Sequence, residues 1–213
     1  QRFIDLTRPH GAYVRMIAEA RDASVTLRVR TGLDVRVENT GLIHLDALAQ
    51  ASDVAGGELL VRTRSTKRQV AVAYRVDVTG TDVDELRAWA SDADGAPATE
   101  FEVRLDPAVP ATVAKYVAIV PDLDADDPVA AARDEASEAA ERGWTALLAG
   151  HDAAWADVWA GCDIEIDGDD EAQLAVRYNM FQLQIAVPRF TDRASIGAKT
   201  LWLWHELWLD GRL

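Results

Sequence analysis

The hydrophobic pattern of this chain changes period once, near residue 122. Before that point apolar residues alternate with polar ones. Val25, Leu27 and Val29 form one run, Leu33, Val35 and Val37 a second, and Leu59, Val61 and Thr63 a third. Val70, Val72, Tyr74, Val76 and Val78 give the cleanest period of two; Phe101, Val103 and Leu105 follow, then Val113 to Val120. A period of two with one apolar face marks half-buried antiparallel strands. Many such strands, separated by Gly, Asp, Asn and Pro, predict a sandwich or barrel. Thr31-Gly32 predicts a turn or bulge, and Ser91 to Pro97 a loop.

After residue 122 the pattern is helical. Asp127-Pro128 predicts a helix start, with Asp as cap and Pro at the first helical position. Ala-rich sequence runs from Val129 to about Leu148; Gly143 marks a kink and Gly150 an end. A second short helix is expected over Asp152 to Ala160, where Trp155 and Trp159 share a face at i, i+4. Cys162 to Asp167 reads as a short strand. Asp169 or Asp170 then caps a third helix that runs to Pro188, with an apolar stripe of Leu174, Tyr178, Phe181 and Ile185.

Composition narrows the function. A chain of 213 residues, 49% of them hydrophobic, can bury one large domain or a domain with an extension. A net charge of -14 repels phosphate backbones and anionic headgroups, so neither nucleic acid nor a membrane is expected as a partner. Three lysines (Lys67, Lys115, Lys199) among 22 basic residues fit a salt-adapted host or a GC-rich genome equally. The single cysteine, Cys162, permits no intrachain disulfide. The chain opens Gln-Arg-Phe-Ile-Asp-Leu, without a signal-peptide pattern or an apolar run of membrane-spanning length. The reading is a cytoplasmic protein whose true N-terminus lies upstream. Six of seven tryptophans lie from Trp144 onward, which suggests two regions of different packing.

Several residues invite chemical readings. Asp163, Glu165, Asp167 and Gly168 match the opening of a calcium loop, but its twelfth position is Leu174 where a glutamate is needed. No metal is therefore expected. Glu165 and Asp167 could be an acid and base pair; alternating with Ile164 and Ile166, they read instead as a solvated strand face. His10, His44, His151 and His205 have no metal spacing. Cys162 reads as a small buried residue, and Ala55-Gly56-Gly57-Glu58 as a turn instead of a phosphate loop. Trp155 and Trp159 could stack on sugar rings, but at helical spacing they read as core.

One ordered string is more specific. Ala154-Trp155 with Trp159, Asp163-Ile164-Glu165-Ile166, Gly168-Asp169, Gln173, Arg177-Tyr178-Asn179, Phe181-Gln182-Leu183 and Ser195-Ile196-Gly197-Ala198-Lys199 resemble glycoside hydrolase family 65. Thr31-Gly32-Leu33-Asp34 and Lys115-Tyr116-Val117-Ala118 fit the same resemblance upstream. What it implies is a mainly β chain: an antiparallel β-sandwich followed by a helical linker and the first helix of an incomplete (α/α)6 barrel. The implied bounds are 1–122 for the sandwich, 123–161 for the linker, 162–199 for the start of the barrel and 200–213 for an aberrant tail. The family cleaves α-linked glucosides with inversion, a glutamic acid protonating the leaving oxygen while inorganic phosphate or water attacks. Those groups belong to the barrel beyond residue 199, so no catalytic residue is expected here and the chain alone is expected to be inactive. A homodimer is within what the resemblance implies.

Arg177, Tyr178 and Asn179 could reach a substrate pocket, but on a barrel helix they read as contacts to neighbouring helices. Lys199, beside Gly197 and Ala198, is the remaining substrate-binding candidate. After Lys199 the family pattern of glycines, His-x-Phe-Trp-Asp is lost. Thr200-Leu-Trp-Leu-Trp-His-Glu-Leu-Trp reads as a frame lost near codon 201; a genuine divergent tail is the alternative. A rival reading of the whole is a non-catalytic β-sandwich for carbohydrate binding or assembly. Helices from 129 onward are expected to pack loosely without barrel partners.

Overall fold

The computed structural model of the protein describes residues 1–36, 38–39, 41–80, 87–91 and 96–191. It divides into two compact units, Gln1–Ala153 and Ala154–Leu213. In the first, strands β1 (Arg2–Ile4), β2 (Gly11–Ala18), β6 (Leu45–Ser52), β7 (Gly56–Thr63), β8 (Gln69–Thr79) and β11 (Ala111–Pro121) make a six-stranded sheet in the order β1-β2-β11-β8-β7-β6. Strands β3 (Val25–Gly32), β9 (Arg87–Ser91) and β10 (Ala98–Leu105) make a three-stranded sheet in the order β3-β10-β9. Strands β4 (Glu38–Asn39) and β5 (Leu42–Ile43) form a separate short ribbon. Each of these pairings is antiparallel.

Alternation along β8 explains the layers. Its even positions, Val76 and Val78, pack with Phe101, Val103, Leu105, Leu27 and Val29 into the core between the two sheets. Two of its odd positions are small: Ala71 and Ala73 face the other way with Ala118 and Val120, where they meet Ala132 and Ala136. Alanine on both surfaces lets a helix lie close to a sheet, because no side chain holds the backbones apart. That helix is α1 (Pro128–Cys162). Further along it, Ala139, Trp144 and Leu147 pack on Tyr13, Ala114 and Tyr116. Full burial of each larger side chain contributes about 1.5–3 kcal/mol.

Asp127 caps α1 as expected, its Oδ1 accepting from Ala130 N at 3.0 Å. The break falls at Gly143, which has φ 76° and ψ 160°, while Gly150 stays helical. A backbone with that φ favours glycine, so the sequence can change direction there and insert Trp144. Arg8 and Arg133 add bidentate ion pairs from α1 to the sheet, with Glu138 (3.2 and 2.9 Å) and Glu58 (2.8 and 2.9 Å) respectively. Both pairs are screened by solvent, so they orient the helix more than they stabilise it. The helix from 129 to Leu147 is thus well packed on the sheet, which corrects the expectation of loose helices from residue 129.

Two other expectations change. Leu33-Val35 continues no strand: β3 stops at Gly32, although Leu33 N still donates to Pro97 O at 3.0 Å beside the start of β10. Val37 lies outside the described residues, as do residues 92–95 of the expected loop. Cys162 to Asp167 is not a strand; Cys162 ends α1 and residues 163–166 pair with no other strand.

In the second unit the described part holds the end of α1 and helix α2 (Asp170–Ala186). Asp169 is the cap of α2, accepting from Ala172 N at 2.9 Å, and Asp170 and Glu171 favour the positive end of the helix dipole. No residue of α2 is buried. Leu174 is 71% and Tyr178 60% exposed, so these two residues of the apolar stripe read from the sequence face outward.

Candidate functional site

The densest polar chemistry in the first unit lies where β3 ends. Gly32 sits against β10 so closely that a Cβ would stand 2.5 Å from Pro97 O and 2.9 Å from the Ala98 methyl. Only glycine allows that approach. Lys115, from β11, crosses the inter-sheet space, donates to Gly32 O at 2.6 Å and holds its Nζ 4.5 Å above the Tyr74 ring centroid. Burial pushes the Lys115 ammonium down from 10.5 to about 8. Tyr74 in turn shares a hydrogen bond with Thr99 at 3.0 Å.

The segment after Gly32 carries its own polar contacts. Asp34 Oδ1 accepts from Arg36 N at 2.9 Å and from Arg36 Nε at 3.0 Å. The Arg36 guanidinium keeps the Asp34 carboxyl below the usual carboxylate range. Arg30, one turn of the pleat earlier, stands 3.9 Å from Glu100. Arg30, Gly32, Leu33, Asp34, Arg36 and Ala98 line a cleft of about 240 Å³.

Sequence reasoning found the Thr31–Asp34 segment only as a matching motif, and it passed over Lys115 as a functional group. The missed signal is register. Position 115 falls on the apolar period of Val113 and Val117, so a lysine there must enter the interior.

The second unit explains the long ordered string as a clasp. The Gln173 carboxamide accepts from Ile166 N at 2.6 Å and donates to Ile164 O at 2.9 Å, acting as a one-residue strand partner. Arg177 holds Asp163 with two bonds, 2.9 and 2.5 Å, and keeps its carboxyl below the usual range. The Asp163 of the calcium-like sequence is therefore an ion-pair partner. Glu165 and Asp167 are exposed. Trp155 lies 6.3 Å from Trp159 and 5.3 Å from Phe181, a packing cluster. Tyr178 and Asn179 are exposed on α2. Cys162 accepts a long contact of 3.8 Å from Gln184 Nε2. Replacing Gln173 by Ala leaves two backbone groups without this partner; we expect a loss of about 1–3 kcal/mol in local protection, read as faster amide exchange at Ile166 with β-strand amides unchanged.

The histidines serve the frame. His10 lies between Glu135 (2.9 Å) and Asp124 (3.2 Å), and His151 Nδ1 accepts from Leu6 N at 3.1 Å. Among the described residues no group of three or more His, Cys, Asp and Glu is placed to hold a metal ion. No described helix is long and apolar enough to cross a membrane. Lys199, Gly197, Ala198 and His205 lie outside the described residues.

The described residues thus make a mainly β, two-sheet module with a helix docked on one sheet, followed in sequence by a second helix that has no buried residue. The chain belongs to glycosyl hydrolase family 65: the sequence model of that family's N-terminal domain matches residues 1–158. It is 23% identical over 205 residues to the maltose phosphorylase of Bacillus subtilis, covering 93% of this chain and 27% of that protein. It is 25% identical over 190 residues to the 1,2-alpha-glucosylglycerol phosphorylase of Bacillus selenitireducens, covering 88% and 24%. A solved structure from the human microbiome, described provisionally as a kojibiose phosphorylase, superposes with a TM-score of 0.72 at 20% identity over 85% of this chain and 24% of that one. The fold is the family's N-terminal β-sandwich followed by a helix of the barrel. The chain spans about a quarter of the length of the curated relatives it matches.

Proposed function

We propose that this chain is the N-terminal part of an inverting α-glucoside phosphorylase, with inorganic phosphate as co-substrate and the cytoplasm as its compartment. The observation that carries the reading is the family match over residues 1–158 together with relatives that are themselves phosphorylases. In this reading the sandwich is 1–122, the linker 123–161 and the start of the barrel 162–199. The general acid and the phosphate site lie in the barrel. Lys199 stays the substrate-side candidate, no described residue is given a catalytic role, and the assembled protein is a homodimer. The tail over 200–213 is read as a product of frame loss.

The test has two arms. This chain alone, incubated with maltose, kojibiose or trehalose and phosphate, is expected to release no glucose 1-phosphate; turnover by it would sink the proposal. Resequencing the gene through codon 200 should reveal a neighbouring frame that resumes with glycines and His-x-Phe-Trp-Asp, and the protein read in that frame should phosphorolyse one of these sugars. Phosphate-independent release of glucose would instead make the parent a hydrolase of the same family.

A second reading, a sandwich that itself holds carbohydrate, rests on one observation: the small cleft at the end of β3.

A further inference from the structure

We draw no further inference here: the strongest candidate, the exposed apolar face of α2 that carries Leu174, Tyr178 and Ile185, has nothing among the described residues to show what covers it.

Discussion

Replacing Trp144 by Ala is expected to lower the stability of the first unit by about 3–5 kcal/mol, in a single urea transition that carries α1 and the six-stranded sheet together. Trp144 is 7% exposed. It packs with Tyr13, Tyr116 and Leu147, its ring meets Phe3 edge-on at 5.2 Å, and Arg15 lies over it at 4.7 Å. The residue immediately follows the helix break at Gly143, so neither the helix before it nor the one after can follow an alanine into the vacated space without moving the other. The cavity therefore persists, and the loss sits at the large-to-small end of the range. Amide exchange in the parent should show Ala132, Ala136 and Ala139 protected to the same free energy as β11. Early exchange of α1 with β11 still protected would mean that the helix is only laid on the sheet, and the three-layer description would fail.

How much of this could be read beforehand depended on whether the determinant was local. The period of two in Val70–Val78 gave β8 correctly because one sheet face is continuous with the inter-sheet core. The other face was invisible. Ala71 and Ala73 look like filler in a strand, and only the position of α1 shows that their smallness admits a helix. The same blindness made the helices from 129 look unpartnered. β1, β2 and β6 lack a clean apolar alternation: β1 and β6 are the sheet's edges, β2 lies next to β1, and Ile4 and Val14 remain exposed. The helix break was placed at Gly150 as an end and at Gly143 as a kink. Both are glycines, and sequence does not say which will take positive φ.

The clasp of the second unit was legible as a pattern and not as a mechanism. Asp163, Gln173 and Arg177 were all picked out by resemblance, but the spacings of 14 residues between Asp163 and Arg177 and 9 between Ile164 and Gln173 are set by a turn and a helix cap that no local propensity specifies. The cleft at β3 is the converse. Most of its lining is contiguous, yet its shape depends on Pro97 and Ala98 at the start of β10 and on Lys115 of β11.

Lys115 supplies the second large effect, and its sign is set by burial. Its folded value of about 8 lies below 10.5 in the unfolded chain, so between these pH values the unfolded state binds the extra proton. Stability from this group therefore rises as pH increases from about 8 to 10.5, by about 3 kcal/mol, and is flat below. At pH 7 the buried ammonium is a net burden, offset in part by its bond to Gly32 O and its place over Tyr74. Lys115→Met, similar in shape and without the charge, should be more stable than the parent by about 1–2 kcal/mol at pH 7, once the lost hydrogen bond is counted at about the same size. At pH 10.5 the order should reverse by a similar amount. Tyr13, which burial pushes up to about 12, and Tyr74 and Tyr116, raised by burial as well, lose the fold stability as pH climbs above their ordinary value. They do so in both chains, so the difference between the two urea midpoints across pH isolates Lys115. A difference that does not change with pH would mean that the lysine reaches water, and with it would go the idea that its charge is spent on fixing the rim of the cleft.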